Sequence, residues 1–167
     1  MSESLIMRSG VPEDVPVLLD IYNHYVRTSP VTFDIEPVSL DARRKWFKQF
    51  SYDGPHQLVV AERGGQVLGY AHSTSFRPKP AYARSVETTV YVTPESAGEG
   101  IAGKLYEHLL ARLDEAGVHR AYAIITLPND ASIALHERAG FKELAVLSEV
   151  GDKFGKFWNT LWMERRF

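Results

Sequence analysis

The chain of 167 residues contains no cysteine. Disulfide bonds, thiolate metal sites and a cysteine nucleophile are therefore excluded. An excess of one charge is also missing, because the formal net charge is -2 and the isoelectric point is near 6.3. A surface for nucleic acid or for an anionic membrane needs clustered Lys and Arg, so the sequence predicts neither partner. The expected partner is a small molecule.

Long apolar runs are absent as well. The longest, within residues 121–127, is far shorter than the roughly 20 apolar residues of a membrane-spanning helix. The first residues, MSESLIMRSG, lack the apolar core of a signal peptide. The six histidines show no spacing typical of metal ligands, and no Gly-x-Ser-x-Gly motif occurs. We expect a cytoplasmic protein that uses no metal.

The composition is that of an ordinary folded protein, with 44% apolar, 24% charged and 11% aromatic residues. Its length fits one domain, residues 1–167, with one core. Apolar spacing predicts a strand over residues 5–8 and a helix over Val15–Thr28. Ser39 is the expected N-cap of a second helix that presents Trp46, Phe47 and Phe50.

Two strands, residues 57–63 and 66–75, are expected to form a hairpin, because the Gly64-Gly65 pair between them allows a tight turn. A β-branched strand, VETTVYV, then leads through a glycine-rich turn into a helix with a leucine stripe. The remaining predicted elements are a strand over residues 121–127, a helix over residues 129–139 closed by Gly140, and terminal strands over residues 141–150 and 157–163.

The glycine-rich segment GEGIAGKL, residues 98–105, resembles several phosphate-binding patterns. A P-loop requires Ser or Thr where Leu105 stands, so an NTPase is not expected. A dinucleotide-binding fingerprint requires an acidic residue after the next strand, which ends in Ile125-Thr126-Leu127. A dinucleotide-dependent oxidoreductase is therefore a weak alternative, and a turn that binds nothing is another.

A third pattern covers more of the chain. VETTVYVTPESAGEGIAGKLY resembles the acetyl-coenzyme A motif of the GNAT acetyltransferase superfamily, in which a strand is followed by a Q/R-x-x-G-x-G/A turn and a helix. Residues 97–102 occupy the six positions of this turn, with Ala97 where Gln or Arg is usual. The runs IYNHYV, TVYV, LPNDASIALHERAGF and GDKFGKFW are similar to the phosphinothricin and methionine sulfoximine acetyltransferases of this superfamily.

The resemblance implies an α/β GNAT fold, a mixed and mostly antiparallel sheet with helices on both faces and acetyl-coenzyme A in the cleft after the fourth strand. It also implies acetyl transfer to the amino group of a small amino-acid-like substrate such as phosphinothricin, methionine sulfoximine or methionine sulfone. A homodimer is expected, with GDKFGKFW as the closing turn before the last strand and its aromatic residues in packing. A sensor that binds coenzyme A or an amino acid without turnover is the alternative from another class.

Two residues are candidates for catalysis. Glu87 is the only carboxylate in its apolar strand, which suggests a general base for the substrate ammonium; a solvated edge-strand glutamate is the alternative. His136 stands where the superfamily usually has Tyr, and the resemblance implies a general acid or a contact to coenzyme A. A structural histidine is the other interpretation of His136.

The same resemblance implies the binding residues. Asn129 is also a candidate helix cap, and the loop with Arg77 and Lys79 is alternatively a solvated basic loop. The expected coenzyme-binding residues are Val90, Tyr91, Val92, Gly98, Glu99, Gly100, Ile101, Ala102, Gly103, Asn129 and Ser132. The expected substrate-binding residues, besides Glu87, are Phe33, Phe76, Arg77, Lys79, Tyr82, Ser85 and Val86.

Overall fold

The computed structural model describes residues 3–167, which form four helices and seven strands besides short 3-10 turns. The helices are α1 (Val15–Thr28), α2 (Leu40–Phe47), α3 (Ile101–Glu115) and α4 (Asp130–Arg138). The strands are β1 (Leu5–Ser9), β2 (Leu58–Arg63), β3 (Gln66–Ser75), β4 (Ser85–Val92), β5 (Arg120–Thr126), β6 (Lys142–Lys153) and β7 (Lys156–Arg166).

All seven strands belong to one sheet in the order β1-β2-β3-β4-β5-β7-β6. Every neighbouring pair is antiparallel except β4 and β5, which are parallel. The expectation of a mixed, mostly antiparallel sheet is confirmed. A dinucleotide-binding fold needs a mostly parallel sheet, so the oxidoreductase alternative is wrong. Leu105 is fully buried in the core, in agreement with its assignment to an apolar stripe.

Helices cover both faces of the sheet, as expected. Strand side chains alternate between the faces, so Val59 and Ala61 of β2 pack with the leucines of α3 while Val60 packs with Leu18 of α1. Val86 and Phe141 belong to the core beneath α3. No helix within residues 3–167 has the length and apolar character that crossing a membrane requires.

The second helix begins as predicted and ends earlier. The hydroxyl of Ser39 accepts a hydrogen bond from the Ala42 amide at 3.2 Å, which satisfies an N-terminal donor of α2. The helix ends at Phe47, so the assignment of Phe50 to this helix is wrong. Phe50 still packs edge-on against Trp46, with ring centroids 4.8 Å apart, because the chain turns back at residues 48–49.

The last two strands extend further than predicted. The segment GDKFGKFW is expected as a closing turn, but Gly151 pairs with Trp158, and only Phe154 and Gly155 lie in the turn. Both turn residues have positive φ, 57° and 68°, a conformation that joins two strands in a tight hairpin. The expectation of a longer turn is therefore wrong, and the exposed rings of Phe154 and Phe157 lie outside the core.

Candidate active site

A cleft opens where β4 and β5 separate. The two strands pair only from Ser85 and Arg120 to Glu87 and Tyr122, whereas β5 continues along β7 to Thr126. The resulting cleft has a volume of about 550 Å³. Among the expected site residues, those that line it are Glu87, Val90, Tyr91, Val92, Gly98, Gly100, Ile101, Ala102, Gly103, Asn129, Ser132 and His136.

The free edge of β4 presents backbone groups to this cleft. The Thr93 amide donates to the Leu68 carbonyl at 2.8 Å, toward β3. Because backbone groups alternate in direction along a strand, the amides of Val90 and Val92 point the other way, into the cleft. The Val92 carbonyl accepts a hydrogen bond from the Tyr25 hydroxyl at 2.6 Å. This edge can therefore pair with an extended, amide-containing ligand as an added strand would.

The glycine-rich turn forms one end of the cleft. Gly98 and Gly100 have φ values of 84° and 76°, which only glycine adopts without strain. Gly100 is the N-cap of α3 and supplies no side-chain acceptor, so the amides of residues 101–103 are left without a side-chain cap. The positive end of the helix dipole and these amides together favour a phosphate group.

Glu99 belongs to the same turn but lies outside the lining of the cleft. Its carboxylate forms an ion pair with the Arg63 guanidinium at 3.0 Å. The pairing holds the negative charge on the β2 side of the turn. The amides of α3 are therefore the groups of this turn that face the cleft, which suits an anionic ligand.

Glu87 lies at the point where β4 leaves β5. Burial raises the pKa of its carboxyl group, and the positive charge of Arg77 partly opposes that rise. A carboxylate with a raised pKa holds an abstracted proton more readily than an exposed one. The position of Glu87 on the cleft wall and its raised pKa both suit a general base.

His136 is buried beside the cleft, with both ring nitrogens engaged. Nδ1 lies 2.7 Å from the Ser132 carbonyl oxygen, which can only accept, so Nδ1 carries the proton. Nε2 then accepts from the Tyr106 hydroxyl at 2.9 Å, and burial lowers the pKa of the imidazole. The ring is neutral at neutral pH and has no free N–H, which favours the structural interpretation over a general acid.

Asn129 caps α4. Its side-chain oxygen accepts from the Ser132 amide at 3.1 Å, which confirms the capping interpretation. Its amide nitrogen has no part in this hydrogen bond, and the residue lines the cleft. Capping and ligand binding are thus compatible at this position.

The loop expected to bind substrate packs against the end of the sheet. Phe76 stacks on Tyr122, with ring centroids 4.4 Å apart, and the Arg77 guanidinium lies 4.6 Å from the centre of the Phe76 ring. Lys79 and Tyr82 are exposed. The loop lies beside the cleft rather than in its wall, and Arg77 is the member whose charge reaches Glu87.

Three other expected residues also lie outside the lining of the cleft. Ser85 is half-buried at the start of β4. The side chain of Val86 is fully buried under α3, so only its backbone can reach a ligand. Phe33 is 37% exposed and lies on the loop between α1 and α2, on the α1 side of the sheet.

Several residues that line the cleft were not among the expected site residues, and Tyr25, Tyr106 and Arg138 are three of them. Tyr25 was part of the apolar stripe of α1, and its position in IYNHYV was the available signal. Tyr106 belonged to the stripe of α3 in the same way. Arg138, at the end of α4, is the only Arg or Lys among the residues that line the cleft within the described chain, and nothing in the sequence distinguished it from a surface cation.

Comparison with known proteins agrees with this geometry. The model of the acetyltransferase (GNAT) family matches residues 18–141. Phosphinothricin N-acetyltransferase of Streptomyces coelicolor is 50% identical over 161 residues, which are 95% of this chain and 94% of that protein. L-methionine sulfoximine/L-methionine sulfone acetyltransferase of Pseudomonas aeruginosa is 34% identical over 96% of this chain and 94% of that protein. The solved structure of a phosphinothricin acetyltransferase from Sinorhizobium meliloti in complex with AcCoA superposes on this chain with a TM-score of 0.93. The two sequences are 30% identical, and the match covers 98% of this chain and 88% of that one.

Proposed function

Because the chain belongs to the acetyltransferase (GNAT) family, we propose that it transfers the acetyl group of acetyl-coenzyme A to the amino group of a small amino-acid-like substrate. The observation that carries the proposal is the cleft between β4 and β5, with an anion-binding turn after β4 and Glu87 at its other end. Relatives named for phosphinothricin and methionine sulfoximine or sulfone make these compounds the substrates to test first.

In this proposal the coenzyme follows the free edge of β4. The pyrophosphate binds the amides of residues 101–103, and the pantetheine arm pairs with Val90 and Val92. The side chains of Asn129 and Ser132 face the same arm from α4. Arg138 offers a cation to the phosphates, which offsets the missing Gln or Arg at Ala97.

The chemistry follows from the position of Glu87. Its carboxylate takes a proton from the substrate ammonium, directly or through a water, and the freed amine attacks the thioester carbonyl carbon. The C–S bond then breaks, the nitrogen loses its second proton to solvent, and coenzyme A leaves as a thiolate that takes up a proton from solvent. Glu87 afterwards returns its own proton to solvent. No acyl-enzyme is formed. We give His136 the structural role of holding the Tyr106 hydroxyl under the cleft.

The substrate is proposed to enter from the side of α1, where Phe33 and the loop with Phe76, Arg77, Lys79 and Tyr82 flank Glu87. Two cations in this loop suit the carboxylate and the phosphinate or sulfoximine group of such a substrate. We propose that residues 1–167 act as one domain, without metal or nucleic acid. A cytoplasmic location would supply acetyl-coenzyme A, and cell fractionation tests it.

The test is release of free coenzyme A, measured with a thiol reagent in the presence of phosphinothricin, methionine sulfoximine, methionine sulfone and ordinary amino acids. The protein has no cysteine, so it adds no background. Turnover with one of the first three compounds supports both the reaction and the substrate class. Tight binding of coenzyme A without turnover on any amine would instead indicate the sensor.

The homodimer is proposed from the edge of the sheet. β6 is an edge strand, and an exposed apolar surface on an edge strand favours pairing with another chain. Its exposed apolar side chains, with those of the β6–β7 hairpin, are Leu144, Val146, Val150, Phe154 and Phe157.

We expect the wild-type protein to sediment as a dimer and Val146→Arg to sediment as a monomer, because a charge in an apolar interface is costly. Ile6→Arg is the matched control, since Ile6 is an exposed apolar residue on the opposite edge strand, β1. A monomeric wild-type protein, or a dimer that survives Val146→Arg, would contradict this interface.

A further inference from the structure

Lys153, at the end of β6, is a buried cation with an unusual set of partners. Only 3% of the residue is exposed. Its ammonium donates to the backbone carbonyls of Ser29 at 2.9 Å and of Thr32 at 2.8 Å. Burial lowers the pKa of Lys153, and the negative charge of Asp34 partly opposes that change. Within residues 3–167, no carboxylate forms an ion pair with it at 4.0 Å or less.

The two carbonyls make this position favourable for a cation. Ser29 is the C-cap of α1, where the helix dipole is negative and carbonyl groups need donors. The ammonium of Lys153 supplies those donors from the opposite end of the chain. Removing it would leave buried carbonyls without partners, which costs more than a hydrogen bond at the surface.

A second contact joins the same two segments. The ring of Phe33 lies directly on the backbone of Gly151, so that a Cβ at Gly151 would be 2.2 Å from the Phe33 Cζ. Such a separation is far inside van der Waals contact. Gly151 therefore leaves room for the ring, and Phe33 can occupy its place only while residue 151 is glycine.

The segment held in this way, residues 29–34, lies beside the proposed acceptor side of the cleft. Val31 lines the cleft, and Phe33 is proposed to contact substrate. On its inner side, Thr32 forms a hydrogen bond of 2.8 Å with the Tyr22 hydroxyl, which also donates to Asp34. The segment is thus fixed to α1 on one side and to the β6–β7 hairpin on the other.

We propose that Lys153 and Gly151 are positioning residues that hold residues 29–34 as the wall of the acceptor site. The assignment rests on the proposed function, because it concerns where the amine substrate binds. Neither residue touches the coenzyme-binding edge of β4, since neither lines the cleft. Their loss should therefore alter binding of the amine and leave binding of acetyl-coenzyme A unchanged.

The first test compares Lys153→Met with Lys156→Met. Lys156 is an exposed lysine of the same hairpin whose ammonium lies over the Trp158 ring. Lys153→Met removes both hydrogen bonds of the ammonium. We expect it to raise KM for the amine by at least about tenfold and to leave KM for acetyl-coenzyme A within about twofold. Hydrogen exchange at the amides of Ser29 and of residues 31–34 should become faster in this variant and stay unchanged in Lys156→Met.

The second test uses the contact between Gly151 and Phe33. Gly151→Ala displaces the ring and should raise KM for the amine, as should Phe33→Ala. In the double variant the clash is absent, so KM should equal that of Phe33→Ala alone. This non-additivity distinguishes a steric contact from a general loss of stability.

Three results would overturn the assignment. Unchanged KM for the amine and unchanged hydrogen exchange in Lys153→Met would show that Lys153 does not position residues 29–34. Additive effects of Gly151→Ala and Phe33→Ala would show that the steric contact does not affect amine binding. Equal losses for the amine and for acetyl-coenzyme A would show general destabilisation. If the wild-type protein acetylates no amine, the proposed function fails and this assignment with it, whereas activity in wild type with no effect of the variants refutes this assignment alone.

Discussion

The turn before α3 allows a test in which the cost of a substitution can be worked out from the structure. Gly100 has φ 76° and ψ 9°, and a Cβ added there meets nothing within 4 Å. Gly117, between α3 and β5, has φ 74° and the same open surroundings. Alanine at either position is therefore strained without a clash, at a cost of about 1–2 kcal/mol. In Gly117→Ala the free energy of unfolding should fall by that amount, whereas in ligand-free Gly100→Ala it should stay nearly unchanged, because the first turn of α3 can relax there.

Binding of coenzyme A should separate the two variants. In Gly100→Ala the strain can relax by rotation of the first turn of α3, and the ligand must restore the original turn to reach the amides of residues 101–103. That restoration costs the same 1–2 kcal/mol, which raises Kd about 5–30-fold. Urea unfolding and titration calorimetry measure the two quantities. Unchanged Kd in Gly100→Ala, or an equal rise in Gly117→Ala, would refute the assignment of this turn to the pyrophosphate.

Three further predictions concern single side chains. Glu87→Gln should lower kcat about 10²–10⁴-fold and leave Kd for coenzyme A unchanged. In the wild-type protein kcat/KM should rise with pH as Glu87 loses its proton at its raised pKa, and this rise should be absent in the variant. Unchanged turnover would remove Glu87 as the base. Tyr25→Phe removes the hydroxyl that donates to the Val92 carbonyl and should raise KM for acetyl-coenzyme A about fivefold in a steady-state assay. An unchanged KM would contradict this prediction. Burial lowers the pKa of His72 from 6.5 to about 3, so only the unfolded chain gains a proton between these values. The free energy of unfolding should therefore be independent of His72 protonation above about pH 6.5 and about 2 kcal/mol lower at about pH 5. Urea unfolding at the two pH values should show a smaller decrease in His72→Phe.

The strand and turn to which we assign the coenzyme were largely predictable, because they are local in sequence. One strand, one turn and the start of one helix follow each other between Ser85 and Gly103. Positive φ at Gly98 and Gly100 is needed for that turn, and only glycine permits it without strain. The helix of residues 15–28 was predicted with its observed bounds for the same reason, because the spacing of apolar residues within one segment is enough to predict an amphipathic helix.

The separation of β4 and β5 could not be predicted, because it depends on three strands at once. β5 keeps its pairing with β7 as far as Thr126, whereas its pairing with β4 ends at Glu87. The residues of β4 beyond that point are β-branched and aromatic, as in a strand paired on both sides. Nothing in their order marks a free edge, so a resemblance was needed to expect the cleft.

Buried cations were the least predictable feature of the structure, because a sequence assigns Lys and Arg to the surface. Arg43 is 5% exposed, lies 3.4 Å from the centre of the Trp46 ring and donates to the Tyr70 hydroxyl at 2.7 Å. Lys153 holds the loop that follows α1. The hydrogen-bond acceptors of both cations are uncharged groups of distant segments, so no local charge pattern reveals them. A turn motif therefore predicts the coenzyme, whereas the proposed wall of the acceptor site rests on contacts between the segment after α1 and the β6–β7 hairpin, which only folding brings together.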